Sequence, residues 1–166
     1  MTTHRSIGAA AAAATAAALA VAFAGCAPVA ERSIAVAPDQ VAAIEFFEYP
    51  STDVPDTVDR LTVRDPALIT EWMRAFTDMP LRAYTPDEPD EFDGAQTQSS
   101  RLILTDGREI EITTIWIGPH DNVVLWPDAT VWRTEWGSPR VVEAYADVAQ
   151  IDQVSADELP VVVLPG

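Results

Sequence analysis

LILTDGREIEI, residues 102–112, is the stretch that decides the fold class. Asp106-Gly107 supplies the positive-φ corner of a tight turn between two alternating runs, so the spacing predicts an antiparallel β-hairpin. Leu102 and Leu104 share one face of the first strand, and Ile110, Ile112, Thr114 and Trp116 share one face of the second. Downstream, residues 118–122 (GPHDN) form a second turn, followed by a strand over 123–126. Val123 and Leu125 lie on one side of it and Trp126 on the other. Pro127-Asp128 breaks that strand, and another spans 130–136 with Trp132, Thr134 and Trp136 in phase. Upstream, residues 41–49 (VAAIEFFEY) read as a strand with Ala42, Ile44 and Phe46 on one face. Residues 58–63 read as a further strand.

Two helices join these strands. Asp65 is an N-cap and Pro66 suits the first helical position. Leu68, Ile69, Trp72, Met73 and Phe76 then recur at three-to-four spacing, so the pattern predicts a helix over 66–78, ended by Pro80. Ser138-Pro139 opens a second helix over 139–149, with Val141, Val142, Tyr145 and Val148 apolar. Residues 161–164 (VVVL) are a last strand or a tail. There is no internal repeat. The expected architecture is α+β: an antiparallel sheet of about five to six strands with two helices packed on one face.

The first 25 residues have a different character. Arg5 and the amino terminus form a short positive region, and residues 8–24 are an uncharged, alanine-dominated run. That layout fits a secretory signal peptide. A permanent transmembrane helix is the competing reading, although 17 residues of mostly alanine sit at the short end for a span. Ala22-Phe23-Ala24 also fits cleavage that would release a free protein. Phe23-Ala24-Gly25-Cys26 resembles the lipobox of bacterial lipoproteins, with Phe23 where that family prefers Leu. The resemblance covers the first 26 residues only. It implies a diacylglyceryl thioether on Cys26 and cleavage before it, leaving Cys26 as residue one of a lipid-anchored chain on the extracytoplasmic face of the cell membrane. Cys26 is the sole cysteine, so no intramolecular disulfide and no cysteine-rich zinc site can form. Residues 26–40 then read as the lipidated Cys and a tether, and 41–166 as one globular domain. The layout of that domain is similar to small Gram-positive lipoproteins of unknown function, a likeness that implies no activity.

The whole chain carries a formal charge of −16, and loss of Arg5 with the signal takes it to −17. Every basic residue is Arg. Such a surface repels nucleic acid and anionic headgroups, so any membrane attachment rests on the lipid.

Candidate chemistry is sparse. Asp87, Glu88, Asp90, Glu91 and Asp93 crowd one loop, and carboxylates so placed are either solvated or bridged by a cation. Calcium through Asp87, Asp90 and Asp93 is the cofactor this suggests, although the spacing fails the EF-hand pattern. Four of the five tryptophans fall between Trp116 and Trp136. They either fill the core or present stacking surfaces, and Trp126, Trp132 and Trp136 are the candidate contacts for a glycan or protein partner. A Ser-His-Asp triad would need His120, Asp121 and Ser99 or Ser100, and adjacent turn residues lack the required geometry. No nucleophile elbow, phosphate loop or dinucleotide fingerprint is present. The expected function is a lipid-anchored, non-catalytic binding or accessory module acting on a membrane or cell-wall protein. A small-ligand binder is the alternative, and a carboxylate-based hydrolase is the third reading.

Overall fold

A computed structural model describes residues 29–85, 92–135, 145 and 147–160. The chain is mainly β, and this corrects the α+β expectation. One nine-stranded, wholly antiparallel sheet carries a single α-helix among the described residues. The strands are β1 (Ala30–Arg32), β2 (Val41–Pro50), β3 (Thr57–Val63), β4 (Met79–Ala83), β5 (Gln96–Leu104), β6 (Glu109–Gly118), β7 (Asp121–Leu125), β8 (Val131–Thr134) and β9 (Gln150–Ser155); the helix α1 is Pro66–Arg74. The spatial order is β1-β4-β8-β7-β6-β5-β2-β3-β9. The second expected helix, over 139–149, lies outside the described residues apart from Tyr145 and residues 147–149, and so do residues 161–164.

The hairpin at 102–112 forms as its turn chemistry requires. Gly107 sits at φ 84°. Its N–H donates to the Leu104 carbonyl at 3.0 Å, and the Leu104 N–H donates to the Arg108 carbonyl at 2.9 Å. The pairing runs on from Ile103↔Glu109 to Gln96↔Trp116, so β5 begins six residues before the hydrophobic pattern does. That first half, QTQSS, is polar, and all of it but Gln96 is buried. The β7–β8 turn repeats the same geometry: Ala129 N–H donates to Trp126 O at 2.9 Å, and Trp126 N–H donates to Thr130 O at 2.8 Å. Ala129 takes the glycine-like corner at φ 61°.

Helix α1 starts where expected. The Asp65 carboxylate accepts from the N–H groups of Ala67 (2.8 Å) and Leu68 (3.1 Å). Its last turn tightens to i→i+3 bonds from Ala75, Phe76 and Thr77. Regular helix therefore ends at Arg74 rather than at residue 78, and Asp78 at φ 53° turns the chain into β4. Pro80 is part of that strand. Its missing N–H is tolerated because its main-chain groups face β8, where Thr134 Oγ1 donates to the Pro80 carbonyl and the strand pairing covers only Arg82 and Ala83.

Ile69, Trp72, Met73 and Phe76 pack one face of the sheet through Ile44, Phe46, Leu61, Val63, Met79, Leu81, Leu102 and Ile112. Phe46 meets Trp72 edge-on at 5.5 Å and stacks on Tyr145 at 6.0 Å. Strands from opposite ends of the order thus share one core, so the sheet curves around α1. The opposite face is also largely covered. Phe47, Tyr49, Val58 and Val154 cluster under Leu159, while Ala95, Ile115 and Val123 lie under Tyr84 and Phe92. Burial on both faces explains why β2 reads as a nearly continuous apolar run instead of a clean alternation.

Candidate functional site

The stretch read as a tether is structured from Ala30 onward. β1 pairs with β4 over Ala30↔Leu81, Glu31↔Pro80 and Arg32↔Met79, and residues 38–40 form a 3-10 turn. Arg32 fastens this segment. Its guanidinium donates to Asp128 Oδ2 at 2.6 Å and to Thr130 Oγ1 at 2.8 Å. Its carbon lies 5.3 Å from the ring centre of Trp126 and 5.1 Å from that of Trp132. The cation therefore lies within cation–π range of two indoles, with a carboxylate at its tip. Thr130 Oγ1 also accepts from the Trp132 indole N–H at 2.6 Å. The Arg32 and Thr130 hydrogen bonds hold the Asp128 carboxyl down at about 2.

Two of the three tryptophans singled out in the sequence are thereby brought together. Trp126 is buried and Trp132 half-buried. The ring faces turned to Arg32 are taken within the chain, which removes them from glycan stacking. Trp136, Cys26, Asp87 and Asp90 lie outside the described residues, and Asp93 is exposed in the turn before β5. Among the described residues no group of three or more His, Cys, Asp or Glu side chains is arranged to hold a metal. No helix among them is long and apolar enough to cross a membrane.

The triad residues are kept apart. Ser99 and Ser100 are 0% and 1% exposed, out of reach of any substrate. Ser99 is the middle of a buried hydroxyl chain, 2.9 Å from Tyr49 Oη and 2.8 Å from Thr113 Oγ1, that ties β2, β5 and β6 together. Burial pushes the Tyr49 hydroxyl above its ordinary pKa. Asp121 is clamped by Arg133 through two contacts of 2.6 Å, which holds its carboxyl below the usual range. His120 lies on the exposed β6–β7 turn.

The same face carries a charge network. Glu45, nearly buried, lies 3.6 Å from Arg60 and 3.4 Å from Arg101. Arg60 also reaches Asp152 and Glu158, and Arg101 reaches Glu111 at 3.1 Å, Glu109 at 3.5 Å and the Glu158 carbonyl at 2.8 Å. These contacts cross β2, β3, β5, β6 and β9, so the network ties these five strands together. Its two most exposed β6 carboxylates, Glu109 and Glu111, both pair with Arg101.

A concavity lies beside this network. A cleft of about 730 Å³ is lined by Glu109, Ile110, Glu111, Thr113, Leu125, Trp126, Pro127 and Ala129. A smaller hollow on the other side, about 340 Å³, shares Ile110, Trp126 and Pro127 and adds Ile34 and Val36. The two meet where β7 stops short of the end of β6. Sequence reasoning found Trp126 but missed Arg32, Asp128, Glu109 and Glu111. Pro127-Asp128 was legible as a break, and that break opens the cleft. No protein-family model matches the chain, and neither a curated protein nor a solved structure matches it.

Proposed function

We propose that the protein is a lipid-anchored binding module on the extracytoplasmic face of the cell membrane, held through Cys26 and acting without catalysis on a membrane or cell-wall protein. The observation that carries this reading is the Arg32 clamp. It fixes the chain onto the sheet six residues after Cys26, beside the open cleft. Six residues span at most about 20 Å, so a lipid on Cys26 keeps the cleft within reach of membrane neighbours. The modification supplies at least two acyl chains, enough for stable anchoring where one is marginal. Confinement to a surface raises effective concentration, so a weak contact suffices. The formal charge of −17 left after loss of Arg5 keeps the domain off anionic headgroups and favours cationic partners.

The test is crosslinking capture from intact membranes with the native chain and with Cys26→Ser. A defined partner recovered with the native chain and lost with the variant is the expected result. A native chain that stays in the membrane fraction without any reproducible partner sinks the binding reading. Equal membrane retention of both chains overturns the lipid anchor and makes residues 8–24 an uncleaved span.

A further inference from the structure

The cleft is the open edge of a strand, and its main-chain directions can be worked out. Leu104 N–H bonds to Arg108 O, so even-numbered residues of β6 aim their main-chain groups at β5 and odd-numbered residues aim theirs at β7. Trp126 N–H bonds to Thr130 O, so even-numbered residues of β7 face β8 and odd-numbered ones face β6. The register Thr113↔Leu125 then sets residue 127 opposite Glu111. That residue is proline, which has no N–H to donate, and the chain turns away there. Among the described residues nothing supplies the next rung to the main-chain groups of Glu109 and Glu111, although β5 continues to pair with the other edge of β6 as far as Glu109.

The two sides of this edge differ in chemistry. On one, Glu109 and Glu111 present side chains that are 56% and 38% exposed, sharing Arg101 with Glu45. On the other, Ile110, Trp126, Ile34 and Val36 line the smaller hollow. A strand laid against the edge would send alternate side chains to the two sides. We infer that the Glu109–Glu111 edge of β6 binds an extended peptide segment of a partner protein by strand addition, selecting alternating basic and apolar residues. The basic residues meet Glu109 and Glu111, and the apolar ones meet Ile110 and Trp126. A second copy of this chain is disfavoured, because two strongly anionic chains would set glutamates against glutamates. This deepens the binding-module reading and rests on it.

The test uses the full chain, ¹⁵N-labelled, with three capped hexapeptides: alternating Lys–Val, alternating Glu–Val, and Lys–Val N-methylated along one edge. The Lys–Val peptide is expected to shift the Glu109 and Glu111 amides and slow their exchange by about tenfold or more. The Glu–Val and N-methylated peptides are expected to do neither. Glu109→Gln with Glu111→Gln, on a folded chain, is expected to weaken Lys–Val binding by about tenfold. Equal binding of the N-methylated peptide overturns the proposal, since charge attraction alone would then account for it. So does unchanged exchange at both amides with Lys–Val. Protection of both amides in the free chain also overturns it, especially if a chain ending at Pro160 loses that protection, because the edge would then be covered from within. If these peptide tests fail while Cys26-dependent capture still recovers a partner, the strand-addition site is refuted and the binding module stands.

Discussion

Replacing Arg32 with Ala tests the clamp at the start of the sheet. Two indole contacts at 5.1–5.3 Å contribute about 0.5–1 kcal/mol each. The ion pair with Asp128 is 2.6 Å long but partly exposed, with side chains 27% and 47% accessible, so it adds only about 0.5 kcal/mol. The total is about 2 kcal/mol. It falls on a three-residue edge strand, so the loss is expected to be local. Opening of β1 from β4 should rise about thirtyfold, since each 1.4 kcal/mol is a factor of about ten. Fraying should stop at Ser33, whose hydroxyl accepts from the Asp78 N–H at 2.9 Å, and at Ile34, whose N–H bonds to Phe76 O. Amide exchange measured by mass spectrometry or NMR reads this directly: β1 amides accelerate, and β2 and β5 amides keep their native rates. Arg32→Lys keeps the charge and loses the forked guanidinium that reaches Asp128 and Thr130 together, so it should recover about half the effect. Equal acceleration across β1, β2 and β5 would refute the local clamp, and so would unchanged exchange in β1.

Acid should act on the same contact. The folded Asp128 carboxyl is held at about 2, below its ordinary value of 3.8. A depressed carboxyl stabilises the fold above its unfolded pKa, and that share is lost as pH falls through the folded value. β1 exchange should therefore accelerate between about pH 4 and pH 2, and Asp128→Asn should abolish that dependence. Ala129→Gly relieves a left-handed alanine in a turn whose twin already uses glycine, so it should raise stability by about 1 kcal/mol in urea unfolding. Ser99→Ala breaks both links of the buried hydroxyl chain and should cost about 2 kcal/mol, whereas Tyr49→Phe breaks one and should cost about 1. Arg101→Met leaves the nearly buried Glu45 with Arg60 alone and should cost about 3 kcal/mol, with Arg101→Met/Glu45→Met recovering part of that loss.

The sequence by itself determined the elements whose cause is local. The Asp106-Gly107 corner made the hairpin, because few residues other than glycine accept φ near 84° there. Asp65-Pro66 and the Ile69, Trp72, Met73, Phe76 stripe made the helix. The 42–46 stretch was legible as strand but misread in its facing, because Ala42 is exposed and a register shift follows it. Strands whose cause is tertiary were invisible. QTQSS in β5 and QIDQVS in β9 look like loops, since their polar side chains are matched only by residues far along the chain: Ser99 by Tyr49 and Thr113, Asp152 by Arg60. MPLRA contains a proline that is tolerated only because the pairing of β4 with β8 leaves position 80 out. Counting those segments as loops is what turned a nine-stranded β protein into an expected α+β one.

The site divides the same way. The proposed lipidation of Cys26 rests on a linear pattern in its flanking residues, and Pro127-Asp128 announces a break for an equally local reason. Nothing along the chain links Arg32 to Trp126, Asp128 and Trp132, about a hundred residues away, or shows that β7 ends opposite Thr113 and leaves Glu109 and Glu111 without a rung. Those relations exist only once the strands have taken their order, because a guanidinium clamp and an open strand edge are properties of neighbours in space.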